Sequence, residues 1–180
     1  MDTAKPTSPD IVTEGNPVLR AHAKPVPKSM FGTEELAALI AKMSRALREE
    51  PHGVAIAAPQ IGESWRIFVV RGYVLQRIRR SDPGADTFAD IAFINPVFLR
   101  QSKKKEIIEG EGCLSVPNIY GNIERSARAA VEAQDTTGKK FERGGSGLIA
   151  EIFEHEVDHL NGILFTDKAT NIHEGKDDKK

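Results

Sequence analysis

The segment GLIAEIFEHEVDHLNG, residues 147–162, predicts the central element of the fold. It favours a helix that begins near residue 147 and ends near Leu160, with Gly162 as a stop signal. Its apolar side chains indicate a buried helix: Leu148, Ile149, Ile152, Phe153 and Leu160. A polar group on a buried helix must be paired or bind a ligand, because an unsatisfied one costs about 1–3 kcal/mol. The polar residues of this segment are therefore candidates for function.

Two of these polar residues, His155 and His159, are four positions apart. On a helix, side chains at this spacing project from one face, so both imidazoles can reach a single metal ion. Glu156 completes an H-E-x-x-H motif, in which the glutamate takes a proton from a metal-bound water. Two histidines alone are more often an ordinary polar helix face. The motif therefore indicates metal-assisted hydrolysis of a carbonyl compound only if a further ligand is present.

A catalytic metal site usually has three protein ligands and one open position. After His159 the chain offers only His173 and Glu174, in a charged C-terminal segment. The strongest candidate for the third ligand is Cys113. Because it is the only cysteine of the chain, no intrachain disulfide can form. A lone cysteine is commonly a small buried hydrophobe. Its thiolate, however, makes a good ligand in a reducing compartment, and the glycine before it allows close approach of the backbone.

Composition excludes several classes of protein. The 180 residues are the size of one domain, and 39% hydrophobic with 28% charged residues is typical of a globular protein. The net charge of −1 gives no global attraction to nucleic acid or to an anionic membrane. No apolar run approaches the roughly 20 residues that span a bilayer, and the N-terminus has no secretory signal. We therefore expect a cytoplasmic protein, with no membrane contact and no direct nucleic-acid function.

The pattern of apolar residues predicts an α+β fold in which antiparallel strands pack around the helix at 147–160, which should be the most buried element. A first helix is predicted over residues 33–49, with Thr33 as its cap. The predicted strands are residues 66–70, 91–99, 105–109 and 123–134, with 139–142 as a possible hairpin partner. Residues 72–90, which include Arg77, Arg79 and Arg80, are expected to form a solvated loop.

Three parts of the chain are expected: a flexible arm at 1–10, a catalytic domain at 11–167, and a charged tail at 168–180 that either extends as a helix or stays disordered.

Three segments together resemble the bacterial peptide deformylases. Residues 53–60, GVAIAAPQ, are similar to the first motif of that family, Gly-x-Gly-x-Ala-Ala-x-Gln. Residues 111–115, EGCLS, and 155–162, HEVDHLNG, are similar to the second and third motifs, in the family's order and spacing. The resemblance covers roughly residues 11–167, and three ordered motifs are far more specific than one.

This resemblance implies a metal-dependent hydrolase that removes the formyl group from the N-terminal formyl-methionine of newly synthesised proteins and releases formate. Carried over by position, the metal ligands are Cys113, His155 and His159. Glu156 is then the general base and acid, and Gln60 with the backbone N–H of Leu114 holds the oxyanion. One divalent ion is implied, Fe²⁺ first, with Zn²⁺, Ni²⁺ or Co²⁺ also suited to these ligands. The implied partners are N-formyl-methionyl nascent peptides and the ribosome, with the charged tail as the docking segment, and the chain is expected to be a monomer.

The substrate pocket is expected to be apolar, sized for an unbranched side chain, and lined by Val54 and by residues of the helix at 147–160. The peptide should pair with an exposed strand edge at Gly53, Val54 and Ala55, and Glu111 should lie near the rim. By the same resemblance, Asp158 pairs with Arg125 and fixes the helix.

Three positions depart from the family pattern. Ala55 replaces the second glycine of the first motif, which either strains a position with positive φ or narrows the cleft. Glu154 replaces a glutamine, and its carboxylate either raises the basicity of the site or faces solvent. Tyr120 stands where some members carry arginine. A catalytically silent relative that binds peptide or metal is the alternative function, and a general metalloprotease is a weaker third one.

Overall fold

The computed structural model describes residues 8–76, 84 and 87–175, which contain three α-helices and eight strands besides short 3-10 turns. The helices are α1 (Glu34–Glu49), α2 (Gly72–Leu75) and α3 (Leu148–Leu160). The strands are β1 (Ala55–Ala57), β2 (Ile67–Val70), β3 (Ile91–Gln101), β4 (Lys105–Cys113), β5 (Val116–Ser126), β6 (Arg128–Gln134), β7 (Lys140–Ser146) and β8 (Thr170–Glu174). No helix among the described residues is long and apolar enough to cross a membrane.

The strands form two antiparallel sheets. One has the order β1-β2-β3-β6-β7, and the other has the order β4-β5-β8. Both sheets contribute elements that contact α3, since β1, β6 and β7 of the first sheet and β5 of the second lie against it. The predicted α+β class, with antiparallel strands around the motif-bearing helix, is confirmed.

Helix α1 forms where the periodicity of its apolar residues predicts it. The Thr33 hydroxyl accepts a hydrogen bond from the backbone N–H of Leu36 at 3.3 Å, and Glu34 and Glu35 lie at the positive end of the helix dipole. Its buried face consists of Leu36, Met43, Ala46 and Leu47, which pack beneath β1 and β2.

The run 123–134 is two strands rather than one. β5 ends at Ser126 and belongs to the small sheet, whereas β6 begins at Arg128 and belongs to the large sheet. Between them the backbone N–H of Ala127 donates to Lys104 O at 3.0 Å. The prediction of a continuous strand was wrong because both halves favour extended backbone, and nothing local marks the change of sheet.

Helix α3 is anchored by an aromatic cluster. Its Phe153 ring lies 6.2 Å from the Phe68 ring and 5.4 Å from the Phe93 ring, centroid to centroid. Nine of its thirteen residues are buried. The prediction that α3 is the most buried element was wrong, however, because the short strands β1 and β2 are wholly buried. The helix stops before Gly162, whose φ of 75° and close approach to Arg20 O suit only glycine.

The segments predicted as irregular contain regular structure. In the connection 72–90, residues Gly72, Tyr73 and Val74 form a buried helical turn, α2, instead of a solvated loop. Arg77, Arg79 and Arg80 lie outside the described residues.

In the predicted tail, residues 170–174 pair with β5 as strand β8, so this part is neither helical nor disordered. In the predicted N-terminal arm, Ser8 is buried and its N–H donates to Glu50 at 2.8 Å. Residues 1–7 and 176–180 lie outside the described part.

Candidate metal centre and substrate cleft

Three potential ligand atoms converge between the end of β4 and α3. Cys113 Sγ lies 3.2 Å from His159 Nε2, which lies 3.1 Å from His155 Nε2. The three atoms all lie within 4.8 Å of one another. Cys113 is brought there by the tight turn at residues 114–115, since it pairs with Val116 at the start of β5. The sequence-predicted ligands are thus together in space, although residues 113 and 155 are far apart along the chain.

The chemistry of this cluster fits a divalent metal ion. One sulfur and two imidazole nitrogens suit Zn²⁺, Fe²⁺ and related ions. Burial lowers the pKa of His159, which keeps its imidazole in the neutral form that binds metal. Burial opposes the charge of His155, but its hydrogen bonds to Cys113 and Glu111 outweigh this and raise its pKa.

A buried ion network lies behind His155. Its Nδ1 is 2.7 Å from Glu111 Oε1, and Arg125 Nε donates to Glu111 Oε2 at 3.0 Å. Arg125 Nη1 also donates to Asp158 Oδ2 at 2.7 Å, and Lys168 Nζ donates to Asp158 Oδ1 at 2.7 Å. The network orients the His155 ring so that Nε2 faces the other two ligand atoms.

Glu111 is a member of this network and not of the rim of the pocket. Its side chain is 1% exposed, and it does not line the cavity beside the cluster. The sequence does not show that Arg125 and His155 both face this carboxylate, and contact of Glu111 with the substrate stays a prediction. Burial disfavours its charge, but the hydrogen bonds from His155 and Arg125 outweigh this and lower its pKa to about 2.

Gln60 lies in a short helical turn directly after β1, with its amide directed at the cluster. Its Oε1 accepts the Ala57 N–H at 2.8 Å, which orients the amide. Its Nε2 then lies 3.5 Å from Cys113 Sγ and 3.3 Å from Ser115 Oγ. Leu114, in the turn between β4 and β5, lines the same cavity.

Glu156 is buried next to the cluster and lines the cavity. Its Oε2, like His159 Nδ1, has no hydrogen-bond partner among the described residues. Burial raises the pKa of its carboxyl to about 7. A carboxylate with this pKa can accept and return a proton near neutral pH.

A cavity of 480 Å³ adjoins the cluster. Gly53, Val54 and Ala55 form one wall, as expected from the first motif, and Tyr120 lines another part. One face of α3 forms a further wall, through Leu148, Glu151, Ile152 and His155. Residues of this helix were expected in the lining, but Leu148 and Glu151 were not named among them. Their positions seven and four residues before His155, on the same helix face, were the available signal.

The departure at Ala55 does not strain the backbone. Among the described residues, the non-glycine positions with positive φ are Asn95, Asn118 and Asn171, and Ala55 lies in the extended strand β1. Of the two expectations for this position, the structure supports a narrower cleft, since Ala55 lines the cavity.

Glu154, which replaces a glutamine of the family pattern, neither lies at the ligands nor faces solvent. Its carboxylate is buried and accepts hydrogen bonds from Gln101 Nε2 at 2.7 Å and from Ser126 N–H at 3.1 Å. The side chain therefore connects α3 to β3 and to the end of β5, and it does not line the cavity. Residues 154 and 155 lie on different faces of the helix, so adjacency in sequence to His155 does not place Glu154 at the ligands.

A family model, related sequences and solved structures all point to the same family. The family model "Polypeptide deformylase" matches residues 8–175. A peptide deformylase of Thermotoga maritima is 41% identical over 156 residues, covering 87% of this chain and 84% of that protein. A peptide deformylase of Desulforudis audaxviator is 39% identical over 168 residues, covering 93% and 97%. The crystal structure of a class I type b peptide deformylase from Acinetobacter baumannii with bound Met-Ala-Ser has a TM-score of 0.75 at 32% identity, covering 93% of this chain and 99% of that one.

Proposed function

The chain belongs to the polypeptide deformylase family and removes the N-formyl group from nascent peptides; we propose that its metal ligands are Cys113, His155 and His159. The observation that carries this proposal is the convergence of their three ligand atoms within 4.8 Å, beside a 480 Å³ cavity. The buried carboxylate of Glu156 at the same place supplies the acid–base group that hydrolysis needs.

A divalent ion held by these ligands supplies Lewis acidity, which lowers the pKa of water toward neutrality and polarises a carbonyl. Glu156 takes a proton from the attacking water as the water oxygen bonds to the formyl carbon. It then gives that proton to the departing nitrogen as the carbon–nitrogen bond breaks, so that formate and a free amine are released. The pKa of about 7 for Glu156 is consistent with both steps.

Gln60 and the backbone N–H of Leu114 are proposed to stabilise the oxyanion. The Gln60 amide needs little reorganisation, because its oxygen is already bonded to the Ala57 N–H and its nitrogen faces the cluster. Loss of one such donor typically costs about 10²–10³ in rate.

The substrate peptide is proposed to pair with β1 and to place its first side chain in the cavity. β1 is at the end of the five-stranded sheet, so one of its edges is free of strand partners among the described residues. Backbone pairing there tolerates many sequences beyond the first residue. The related A. baumannii enzyme binds the peptide Met-Ala-Ser, which is consistent with this size and chemistry.

The protein is proposed to act as a monomer in the cytoplasm, on nascent chains at the ribosome. Its proposed physiological metal is Fe²⁺. Ligand chemistry alone suits several ions. Elemental analysis of protein purified without oxygen is the test. Zinc or nickel in stoichiometric amount, with iron absent, would refute the assignment of Fe²⁺.

Two substitutions test the proposed roles separately. Glu156→Gln keeps the shape of the side chain but cannot accept the proton, so formate release from formyl-Met-Ala-Ser should fall by at least about 10³-fold with the metal retained. Cys113→Ser should instead lower the metal content, because a hydroxyl is a poorer ligand than a thiolate. Metal content and formate release are measured on the same samples.

The alternative hypothesis is that the protein is a catalytically silent relative of the deformylases. It predicts that the wild-type protein with its full metal content releases no formate, and that Glu156→Gln changes nothing. Substantial formate release by Glu156→Gln would instead show that a different group is the base.

A further inference from the structure

The two histidines of the proposed metal centre are held in different ways. Behind His155, the carboxylate of Glu111 lies 2.7 Å from Nδ1 and orients the ring. His159 has no such support, since its buried Nδ1 forms no hydrogen bond to any of the described residues, 8–76, 84 and 87–175. The position of the His159 ring therefore depends on the backbone that carries it.

That backbone is the last turn of α3, because the helix ends at Leu160, one residue after His159. The carbonyl groups of a last turn have no partners within the helix, so a helix end opens more easily than its middle. The following residues satisfy two of them: the backbone N–H of Gly162 donates to His159 O at 3.1 Å, and that of Ile163 donates to Asp158 O at 3.0 Å. The Leu160 carbonyl needs donors from elsewhere in the chain.

Arg66 supplies one of these donors. Its Nη1 lies 3.2 Å from Leu160 O and 3.0 Å from Asn161 Oδ1, so one guanidinium binds the last residue of the helix and the residue after it. The second donor is the backbone N–H of Ala23, 2.9 Å from Leu160 O. A cation at this position also faces the negative end of the helix dipole, which stabilises the last turn.

The Arg66 guanidinium has no acidic partner among the described residues. Burial lowers its pKa, although an arginine remains charged at any ordinary pH. The backbone of Arg66 is hydrogen-bonded on both sides, since its N–H donates to Lys24 O at 2.8 Å and its carbonyl accepts the N–H of Asn95 at 2.8 Å. The side chain therefore extends from a fixed backbone position directly before β2 to the end of α3.

We propose that Arg66 is a positioning residue for the metal centre. By binding the end of α3 it keeps His159 where its Nε2 lies 3.2 Å from Cys113 Sγ. Loss of the guanidinium lets the last turn open and moves His159, whereas His155 is one turn earlier and stays bonded to Glu111. The inference rests on the proposed role of His159 as a metal ligand.

The test follows the release of Co²⁺, loaded as the metal, to an excess of chelator. Arg66→Met keeps the length of the side chain but removes its charge and its donors, so release should be about tenfold faster than from the wild type. Arg66→Lys keeps the charge and one donor group, so release should be only about threefold faster. The visible absorption spectrum of bound Co²⁺ reports the arrangement of its ligands. It should change in Arg66→Met and return toward that of the wild type in Arg66→Lys.

Leu36→Ala is the control for a general loss of stability. Leu36 is buried on α1 in an apolar cluster to which no described residue of α3 belongs. The substitution should destabilise the fold but leave both the release rate and the Co²⁺ spectrum as in the wild type. If Leu36→Ala speeds release as much as Arg66→Met does, the effect follows overall stability and the inference is overturned.

Release from Arg66→Met at the wild-type rate also overturns the inference. If Arg66→Met does not fold, Arg66→Lys gives the deciding measurement, and a wild-type rate in that variant overturns the inference. His159→Ala separates this result from failure of the proposed ligand set. Metal retention by His159→Ala equal to that of the wild type would show that His159 is not a ligand. Rapid loss from His159→Ala, with a wild-type rate in Arg66→Met, would show that only the role of Arg66 is wrong.

Discussion

The carboxylate of Glu111 contacts the imidazole of His155 at Nδ1, on the side of the ring opposite to the converging ligand atoms. His155 Nδ1 lies 2.7 Å from Glu111 Oε1, while Nε2 lies 3.1 Å from the corresponding atom of His159. Arg125 balances the charge of this buried carboxylate and links it to Asp158, which is also on α3. At the scale of single residues, the geometry of the ligands thus depends on an ion network that does not touch the cavity.

This network makes the stability of the protein sensitive to acid. The pKa of Glu111 falls from an ordinary 4.5 to about 2 in the folded protein, so its charge stabilises the fold above pH 4.5 and this contribution is lost as the pH falls toward 2. The full contribution is on the order of 3 kcal/mol. Urea unfolding of the metal-free protein should therefore show a gap between wild type and Glu111→Gln at pH 6 that shrinks between pH 4.5 and 2.

Glu142→Gln serves as the control, because Glu142 is exposed on β7 and its substitution should change the free energy of unfolding by less than about 0.5 kcal/mol at either pH. If the gap between wild type and Glu111→Gln stays constant over this pH range, the charge of Glu111 does not stabilise the fold.

At the scale of elements, the C-terminal strand β8 supports one wall of the cavity. It pairs with β5, with Tyr120 opposite His173, and the two rings lie 6.3 Å apart. A Cβ added at Gly175 would lie 2.6 Å from Tyr120 Cε2, and one added at Gly112 would lie 2.9 Å from Cε1. The backbone therefore packs closely against both edges of the ring that lines the cavity.

Removing this strand should weaken substrate binding more than chemistry. Deletion of residues 170–180 leaves the Tyr120 ring without one of its two supports, so KM for formyl-Met-Ala-Ser should rise by about fivefold, equivalent to roughly 1 kcal/mol, with a smaller change in kcat. Steady-state kinetics of formate release measure both constants. Deletion of residues 176–180 alone, which keeps β8, is the control and should leave KM near the wild-type value. An unchanged KM in the longer deletion would show that β8 has no part in the cleft.

At the scale of the whole molecule, the aromatic core and the proposed metal centre share one helix. Phe153 is fully buried against Phe68 of β2 and Phe93 of β3, and it lies on α3 two residues before His155. Packing of this ring therefore fixes where His155 and His159 stand relative to Cys113, which comes from the other sheet.

Phe153→Ala should accordingly affect both stability and metal binding. The free energy of unfolding should fall by about 3–5 kcal/mol, the usual cost of such a cavity, and metal retention on dialysis should fall with it. Ile107→Ala removes a side chain that is 69% exposed and should change the free energy of unfolding by less than about 0.5 kcal/mol. Normal metal retention in a strongly destabilised Phe153→Ala protein would show that the centre does not depend on core packing.

Local patterns in the sequence were sufficient for the parts of the molecule that local spacing controls. The bounds of α1 and α3 follow from apolar periodicity, a threonine cap and a glycine stop. The two histidines share a helix face because of their spacing, and three ordered motifs were enough to predict the family and its reaction.

Tertiary structure decided the features that depend on partners distant in the chain. Three features are of this kind: the division of residues 123–134 between two sheets, the pairing of β8 with β5, and the inward position of Glu111 beside Arg125. So is Glu151, whose carboxylate lines the cavity only because β1 lies opposite the same face of α3. Periodicity shows that a residue faces one side of its own element, but the group on that side is set by how the elements pack.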